Sequence, residues 1–243
     1  MVRYTAESAP FIMKTIRDSD VFVVIPCYNE GEALAQTVAE LKPYAFRIVV
    51  IDDGSSDVAS EHLRNQPVTC LRHFSNLGQG AALQTGTQYA LLQGAACIVH
   101  FDADGQHDPT LIHKLIEPIR GGECDVVLGS RFLDSNDRKL VPTKKKVLLK
   151  VGVLVSWLFS GLWLTDTHNG FRALSRAAAQ RISLTEDGFA HATEILESIR
   201  KSKLRYKEVP ATIRYTNYSQ AKGQSIFNSI NIVVDLVLRK LSK

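Results

Sequence analysis

Asp102, Asp104, Gln106, His107 and Asp108 stand together in DADGQHD, directly after the apolar stretch ACIVHF. A charge at the end of a buried strand costs free energy unless something pairs with it. Two carboxylates one residue apart in a turn can reach a single divalent cation or a metal–diphosphate. Oxygen donors of this kind favour Mg²⁺ or Mn²⁺, and Gln106 offers a neutral oxygen at the next alternate position. An EF-hand would need Gly at loop position six and Glu at position twelve; counted from Asp102 these are His107 and His113. A zinc site would want more His or Cys at ligand spacing than His107 alone. Asp108 and Pro109 fit the N-cap and first position of a following helix. That leaves the two earlier acids unexplained by capping and gives His107 no role.

A second chemistry-bearing stretch is NLGQGAALQTG. A dinucleotide fingerprint would need a third glycine where Leu83 stands and would follow the first strand rather than the third. The lysine and hydroxyl of a P-loop are also missing. A glycine-bearing loop at a helix start, Gly80 included, can still hold a phosphate or ribose through backbone N–H groups, or serve only as a tight turn.

The elements that must carry these residues alternate. Apolar runs at residues 21–25, 46–52, 68–74, 96–101 and 124–132 read as strands. The stretches between them read as helices, with VASEHLRNQ among them. Five strand–helix alternations predict an α/β fold with a doubly wound, mostly parallel sheet. Ligands bind such sheets at the carboxyl ends of the strands. PCYNE, DDGSSD, DADGQHD and GSR all fall there and should converge on one edge. The second half is less regular. Residues 147–164 are strongly apolar, HATEILESIRKSKL reads as a helix, YKEVPATIRYT as a strand, and residues 226–243 as an amphipathic helix.

The totals set bounds. The chain has 243 residues, 45% apolar and 22% charged, with a net charge of +4. That fits a folded chain able to bury a substantial core. Cys27, Cys70, Cys97 and Cys124 form no C-x-x-C pair and read as buried free thiols of a reducing compartment. The first 19 residues read as a loosely docked arm without a secretory pattern, which points to the cytoplasm. Arg138, Lys139, Lys144, Lys145, Lys146 and Lys150 cluster; taken alone the run reads as a solvated face, and otherwise it suits phosphates or a lipid surface, with no nucleic-acid partner expected.

VVIPCYNE, VVIDDGSSD, NLGQGAALQTG, FDADGQHDP, LGSRF and THNGFRAL occur in this order. Together they resemble a family 2 glycosyltransferase of the GT-A fold, in the dolichyl-phosphate mannose or glucose synthase-like branch. The resemblance covers residues 20–225. It implies a nucleotide-binding half (20–131), an acceptor half (132–225) containing the basic and apolar segment 138–164, and the C-terminal helix as an appendage. It further implies that Pro26, Tyr28 and Glu30 line the base and ribose pocket, and that Asp53 accepts a hydrogen bond from a base ring N–H. Asp102, Ala103 and Asp104 match the D-x-D that holds metal and sugar-nucleotide, with Gln106 as companion ligand. Arg131 should meet a phosphate. Arg214, Ser219 and Lys222 resemble a loop closing over the donor diphosphate, although Gln220 stands where that loop usually has lysine.

The resemblance implies a metal-dependent, inverting transfer from a nucleoside-diphosphate sugar, with a polyprenyl phosphate as acceptor. A phosphate monoester needs no strong base; a hydroxyl or glycan acceptor would. Glu194 is the candidate base for that case, Asp104 and Arg131 its catalytic companions, and His191 reads as a surface residue. A nucleotidyltransferase would carry a basic glycine-rich loop after the first strand, where PCYNEGEA is acidic. A non-catalytic nucleotide-sugar-binding subunit would not need the intact D-x-D. As a helix, residues 147–164 would span about 27 Å, short of a hydrocarbon core of about 30 Å. Lysines leading into apolar residues and two tryptophans suit an interfacial helix; a core helix or a homo-oligomer contact are the other readings.

Overall fold

The computed structural model describes residues 15–57, 63, 66–134, 146, 149–150, 153–154, 157–158, 160–167, 169–185 and 191–214. The strands are β1 (Val21–Cys27), β2 (Arg47–Asp52), β3 (Thr69–Arg72), β4 (Cys97–His100), β5 (Val126–Ser130), β6 (Arg172–Ser175) and β7 (Tyr206–Pro210). The helices are α1 (Gly31–Leu41), α2 (Gln79–Leu92), α3 (Ile112–Arg120), α4 (Arg176–Arg181) and α5 (His191–Lys201). They flank a single seven-stranded sheet of order β3-β2-β1-β4-β6-β5-β7.

β1 is buried along its whole length, because helices cover both faces of the sheet; a strand in that position reads as an apolar run rather than an alternation. Val21, Val23 and Ile25 face one core layer with Leu34 and Val38 of α1 and Leu115 of α3. Phe22 and Val24 face the other, with Leu83 of α2, Ala178 of α4 and Ile195 of α5.

One strand runs against the rest. β6 is antiparallel to both β4 and β5, while β1, β2, β3 and β4 pair in parallel, as do β5 and β7. The alternation of elements does not foretell this strand, because RALS sets two apolar residues between a charge and a hydroxyl and forms no apolar run. Its reversal matters for the site. The residues entering β6, Asn169 to Phe171, arrive at the same edge of the sheet that β1, β2, β4 and β5 leave.

Ile16 packs on the core and Asp18 pairs with Arg120, so the end of the expected arm is docked. Asp108 caps a 3-10 turn, Pro109–Leu111, that leads into α3, its side chain accepting from the Thr110 N–H at 3.0 Å. Cys27, Cys97 and Cys124 are buried and Cys70 is exposed, which corrects the expectation of four buried thiols. Burial pushes the Cys27 and Cys97 thiols up to about 12. Most of the helix expected over VASEHLRNQ and all of the C-terminal helix lie outside the described residues. Among the described residues, no helix is long and apolar enough to cross a membrane.

Candidate functional site

The antiparallel register sets His100 opposite Arg172. Continuing that register past the strand end sets Asp102 against Gly170, and Gly170 makes room for the carboxylate. A Cβ there would lie 2.5 Å from Asp102 Oδ2. Gln79, the first residue of α2, donates from Nε2 to Asp102 Oδ1 at 3.2 Å. His107 Nε2 lies 2.9 Å from Asp102 Oδ2. Burial pushes the Asp102 carboxyl upward, but the His107 hydrogen bond and the charges of His107, Arg172 and His191 outweigh it and hold it below the usual range. Asp104 goes the other way, raised by burial and by the charge of Asp102. It accepts from the Gln106 N–H at 3.0 Å and from the Gln106 side-chain amide. The amide nitrogen therefore faces Asp104, and a ligating Gln106 must turn its oxygen to the cation.

These residues suit Mg²⁺ or Mn²⁺. The donors are hard oxygens, and the Asp104 carboxyl is raised by a like charge that a cation would neutralise. Among the described residues no three His, Cys, Asp or Glu side chains form a complete cage, and a bound diphosphate or water would supply further oxygens.

Beneath the D-x-D lies a polar layer that the sequence reading did not assemble. His100 Nε2 meets Thr87 Oγ1 of α2 at 3.0 Å, and Arg172 is buried. His191, expected at the surface, is buried at the start of α5; its charge acts on both His100 and Asp102. Burial lowers Arg172 to about 10 against the pull of Asp102 and Asp166, so it stays charged at neutral pH. Burial, then Arg172 and His191, lower His100 to about 3. A histidine depressed in the fold contributes stability above its unfolded value near 6.5 that is lost as pH falls toward 3, at about 1.4 kcal/mol per pH unit. His100→Gln, which keeps a polar end for Thr87, is expected to flatten that loss between pH 6.5 and 4 in urea melts. Parallel slopes for parent and variant would refute it.

On the nucleotide side, Asp53 is buried and fully engaged. Its Oδ1 accepts from His73 Nδ1 at 2.7 Å and the Leu77 N–H at 3.0 Å, and its Oδ2 from the Gly78 N–H at 2.7 Å. His73 Nε2 meets Thr85 Oγ1 at 2.9 Å. Asp53 therefore anchors the loop before α2. Gly54 has φ +75°, and a Cβ on it would meet Ser75 backbone at 2.6 Å, so the DDG turn and that loop pack backbone to backbone. Asn29, missed in the sequence, ties the first loop to the second: its N–H donates to Ser55 Oγ at 3.0 Å and its Oδ1 accepts from the Ser56 N–H at 2.8 Å. Pro26 is buried in β1, Tyr28 is 45% exposed, Glu30 precedes α1 without a capping bond, and Gly80 is buried in the first turn of α2. Ala103 is buried, its carbonyl accepting from Thr37 Oγ1 at 3.0 Å.

Three of the expected site residues have partners within the chain. Arg131 gives Nε and Nη2 to the buried Asp166 at 2.6 and 2.7 Å, so its fork holds the stretch that carries Asp166. Glu194 accepts from the Thr185 N–H at 2.9 and 3.1 Å and from its hydroxyl at 2.5 Å, so both oxygens hold a turn. Arg214 pairs with Glu40 at 2.9 Å and Asp108 at 3.0 Å, while its N–H donates to the Gln106 carbonyl at 2.8 Å. It staples the chain leaving β7 to the D-x-D turn. Ser219 and Lys222 lie outside the described residues.

Comparison with known proteins agrees with this geometry. The family profile described as Glycosyl transferase family 2 matches residues 22–183. An uncharacterized protein of Methanocaldococcus jannaschii is 35% identical over 93% of this chain and 94% of its own length. The UDP-N-acetylglucosamine–dolichyl-phosphate N-acetylglucosaminyltransferase of Methanococcus voltae is 32% identical over 93% of this chain and 98% of its own. Among solved structures, glucosyl-3-phosphoglycerate synthase from Mycobacterium tuberculosis, in complex with Mn²⁺, UDP and glucosyl-3-phosphoglycerate, superposes with a TM-score of 0.66. It shares 17% identity over 90% of this chain and 79% of that one, a likeness of fold.

Proposed function

The chain belongs to glycosyl transferase family 2, and from that premise we propose that it moves a sugar from a nucleoside diphosphate to a polyprenyl phosphate. The observation that carries the donor half of this reading is the D-x-D turn. Asp102 is held ionised and Asp104 is raised by its neighbour, at the edge where β1, β2, β4 and β5 end. A bound Mg²⁺ or Mn²⁺ would neutralise charge gathering on the leaving diphosphate. Asp102, Asp104 and Gln106 would hold it, while α2 turns its first N–H groups toward the same edge. Residues 20–131 serve the nucleotide and the later residues the acceptor.

The acceptor half rests on Glu194. Both Glu194 oxygens accept hydrogen bonds from Thr185, which favours an acceptor that needs no base. A phosphate oxygen is already anionic and attacks the anomeric carbon without one. The C–O bond to the diphosphate breaks as the new C–O bond forms on the opposite face, which inverts configuration. Relatives of Pyrococcus furiosus and Micrococcus luteus carry names of dolichol-phosphate and undecaprenyl-phosphate mannosyltransferases, which supports a lipid phosphate.

Such an acceptor lies in a membrane surface, and a surface for it is present. Lys146, Lys150, Leu154 and Leu158 repeat at helical i, i+4 spacing. Leu154, Trp157, Leu158 and Trp163 are 49%, 39%, 62% and 66% exposed, and the two indole rings meet edge to face at 5.5 Å. Lysines beside exposed tryptophans suit the headgroup layer of a cytoplasmic leaflet. Replacing Trp157 and Leu158 together by Ser is expected to weaken association with anionic vesicles about tenfold. Co-sedimentation that is unchanged would remove the membrane reading.

The function is tested by adding polyprenyl phosphate in detergent, Mn²⁺ and radiolabelled UDP-, GDP- or dTDP-sugars. Label is expected in the organic phase with one nucleotide only. Label that stays aqueous with every donor would reject the reading.

A further inference from the structure

His107 is the member of DADGQHD to which neither the cation nor the helix cap assigns a task. It is 3% exposed. Its ring stacks on Phe171 with centroids 5.1 Å apart and meets Phe101 edge-on at 5.4 Å. Residue 107 also forms a β-bridge with Ile213. Packing and backbone thus fix where the ring sits. From there Nε2 reaches Asp102 Oδ2 at 2.9 Å, while Nδ1 is buried without a hydrogen-bond partner among the described residues. An imidazole held only by stacking would be better replaced by a phenyl ring, since an unpaired buried nitrogen costs free energy. The use of this nitrogenous ring lies at its other end.

That end acts on a carboxylate confined from several directions. Gln79 of α2 holds Oδ1, Gly170 leaves no slack beside Oδ2, and His107 comes from the turn itself. With Nδ1 unpartnered, Nε2 is the nitrogen that donates, and its N–H goes to Asp102. Carboxylates that bind metals depend on such outer hydrogen bonds for orientation.

We propose that His107 is a positioning residue for cation binding: its Nε2–H fixes the Asp102 carboxylate in the orientation that a divalent cation and donor diphosphate require. The proposal rests on the reading of Asp102 as a metal ligand. Its two attributes can be separated by substitution. His107→Phe keeps the ring between Phe101 and Phe171 but removes the donor. His107→Gln loses the ring but keeps a side-chain N–H near the position of Nε2.

The full chain is titrated with Mn²⁺, alone and with inorganic pyrophosphate, reading free Mn²⁺ by its EPR signal and melting temperature by fluorescence. His107→Phe is expected to weaken Mn²⁺ binding about tenfold or more with a melting temperature close to the parent's. His107→Gln should bind within about threefold of the parent despite a lower melting temperature. If His107→Phe does not fold, His107→Met takes its place as the variant without a donor. Parental binding by the donorless variant, with binding lost in Asp102→Asn, overturns the role of His107 while leaving the metal site standing. Parental binding by Asp102→Asn overturns the metal reading and this inference with it.

Discussion

Asp104→Asn is expected to lower sugar transfer at least about a hundredfold while raising the melting temperature of the metal-free protein. The two effects have one cause. Burial and the Asp102 charge raise the Asp104 carboxyl. The folded state therefore binds a proton more readily there than the unfolded chain does. Its contribution to stability is present at low pH and is lost as pH rises through the folded value. At neutral pH the ionised group is a liability in the absence of a cation. Asparagine removes that charge at nearly constant volume and retains an oxygen to accept from the Gln106 N–H, the bond Asp104 makes at 3.0 Å. The variant thus folds with less internal repulsion and with half of the anionic cation clamp gone. Melting with EDTA and then with Mn²⁺ separates the two: the parent should gain stability with Mn²⁺ through binding linkage, and the variant should gain little. Undiminished transfer by Asp104→Asn would end the assignment of Asp104 as a ligand.

The carboxylate pair was legible in the sequence because its reason is local. Two acids one residue apart after an apolar run need a common partner whatever the rest of the chain does. The same holds for Asp108 and Pro109, whose capping role depends on neighbours within a turn. The sheet was legible where its strands lie within apolar runs. β6 was not, because its four residues acquire strand character only by pairing with β4 and β5. The long-range partners of the candidate residues were not legible, for the complementary reason. Asp53 finds its partners at His73, Leu77 and Gly78, and Arg214 finds Glu40 far back in the chain. A charged side chain at a strand end is equally consistent with a ligand contact and with a distant ion pair until the topology decides. His191 and Arg172 show the converse: polar residues become a buried layer only because β6 and α5 cover the same face as α2. An arginine inside GFRAL was the available signal, since an unpaired buried charge in an apolar strand demands an anion nearby.

Arg131→Met provides the sharpest test of that lesson, because the two assignments of Arg131 predict different losses. The Arg131 side chain is 9% exposed and that of Asp166 is 1% exposed, and the pair is bidentate at 2.6 and 2.7 Å. Removing one partner of a buried pair leaves the other charge without compensation and costs about 3–5 kcal/mol, whereas replacing both by apolar groups is often close to neutral. Urea melts should therefore show Arg131→Met and Asp166→Leu each strongly destabilised, and the double variant recovering much of the loss. Activity should follow through position. The segment carrying Asp166 is also held by Glu208, which accepts from the Thr165 N–H at 2.9 Å and the Asp166 N–H at 3.3 Å, and it runs on to Gly170 against Asp102. With Arg131 gone, that approach loosens and the D-x-D loses its floor. The double variant, its packing restored, should regain part of its Mn²⁺ affinity. A phosphate contact predicts the reverse pattern: Arg131→Met would keep parental stability, lose donor affinity, and gain nothing from Asp166→Leu. Recovery in the double variant separates a buried strut from a ligand, and the bidentate geometry at Asp166 favours the strut.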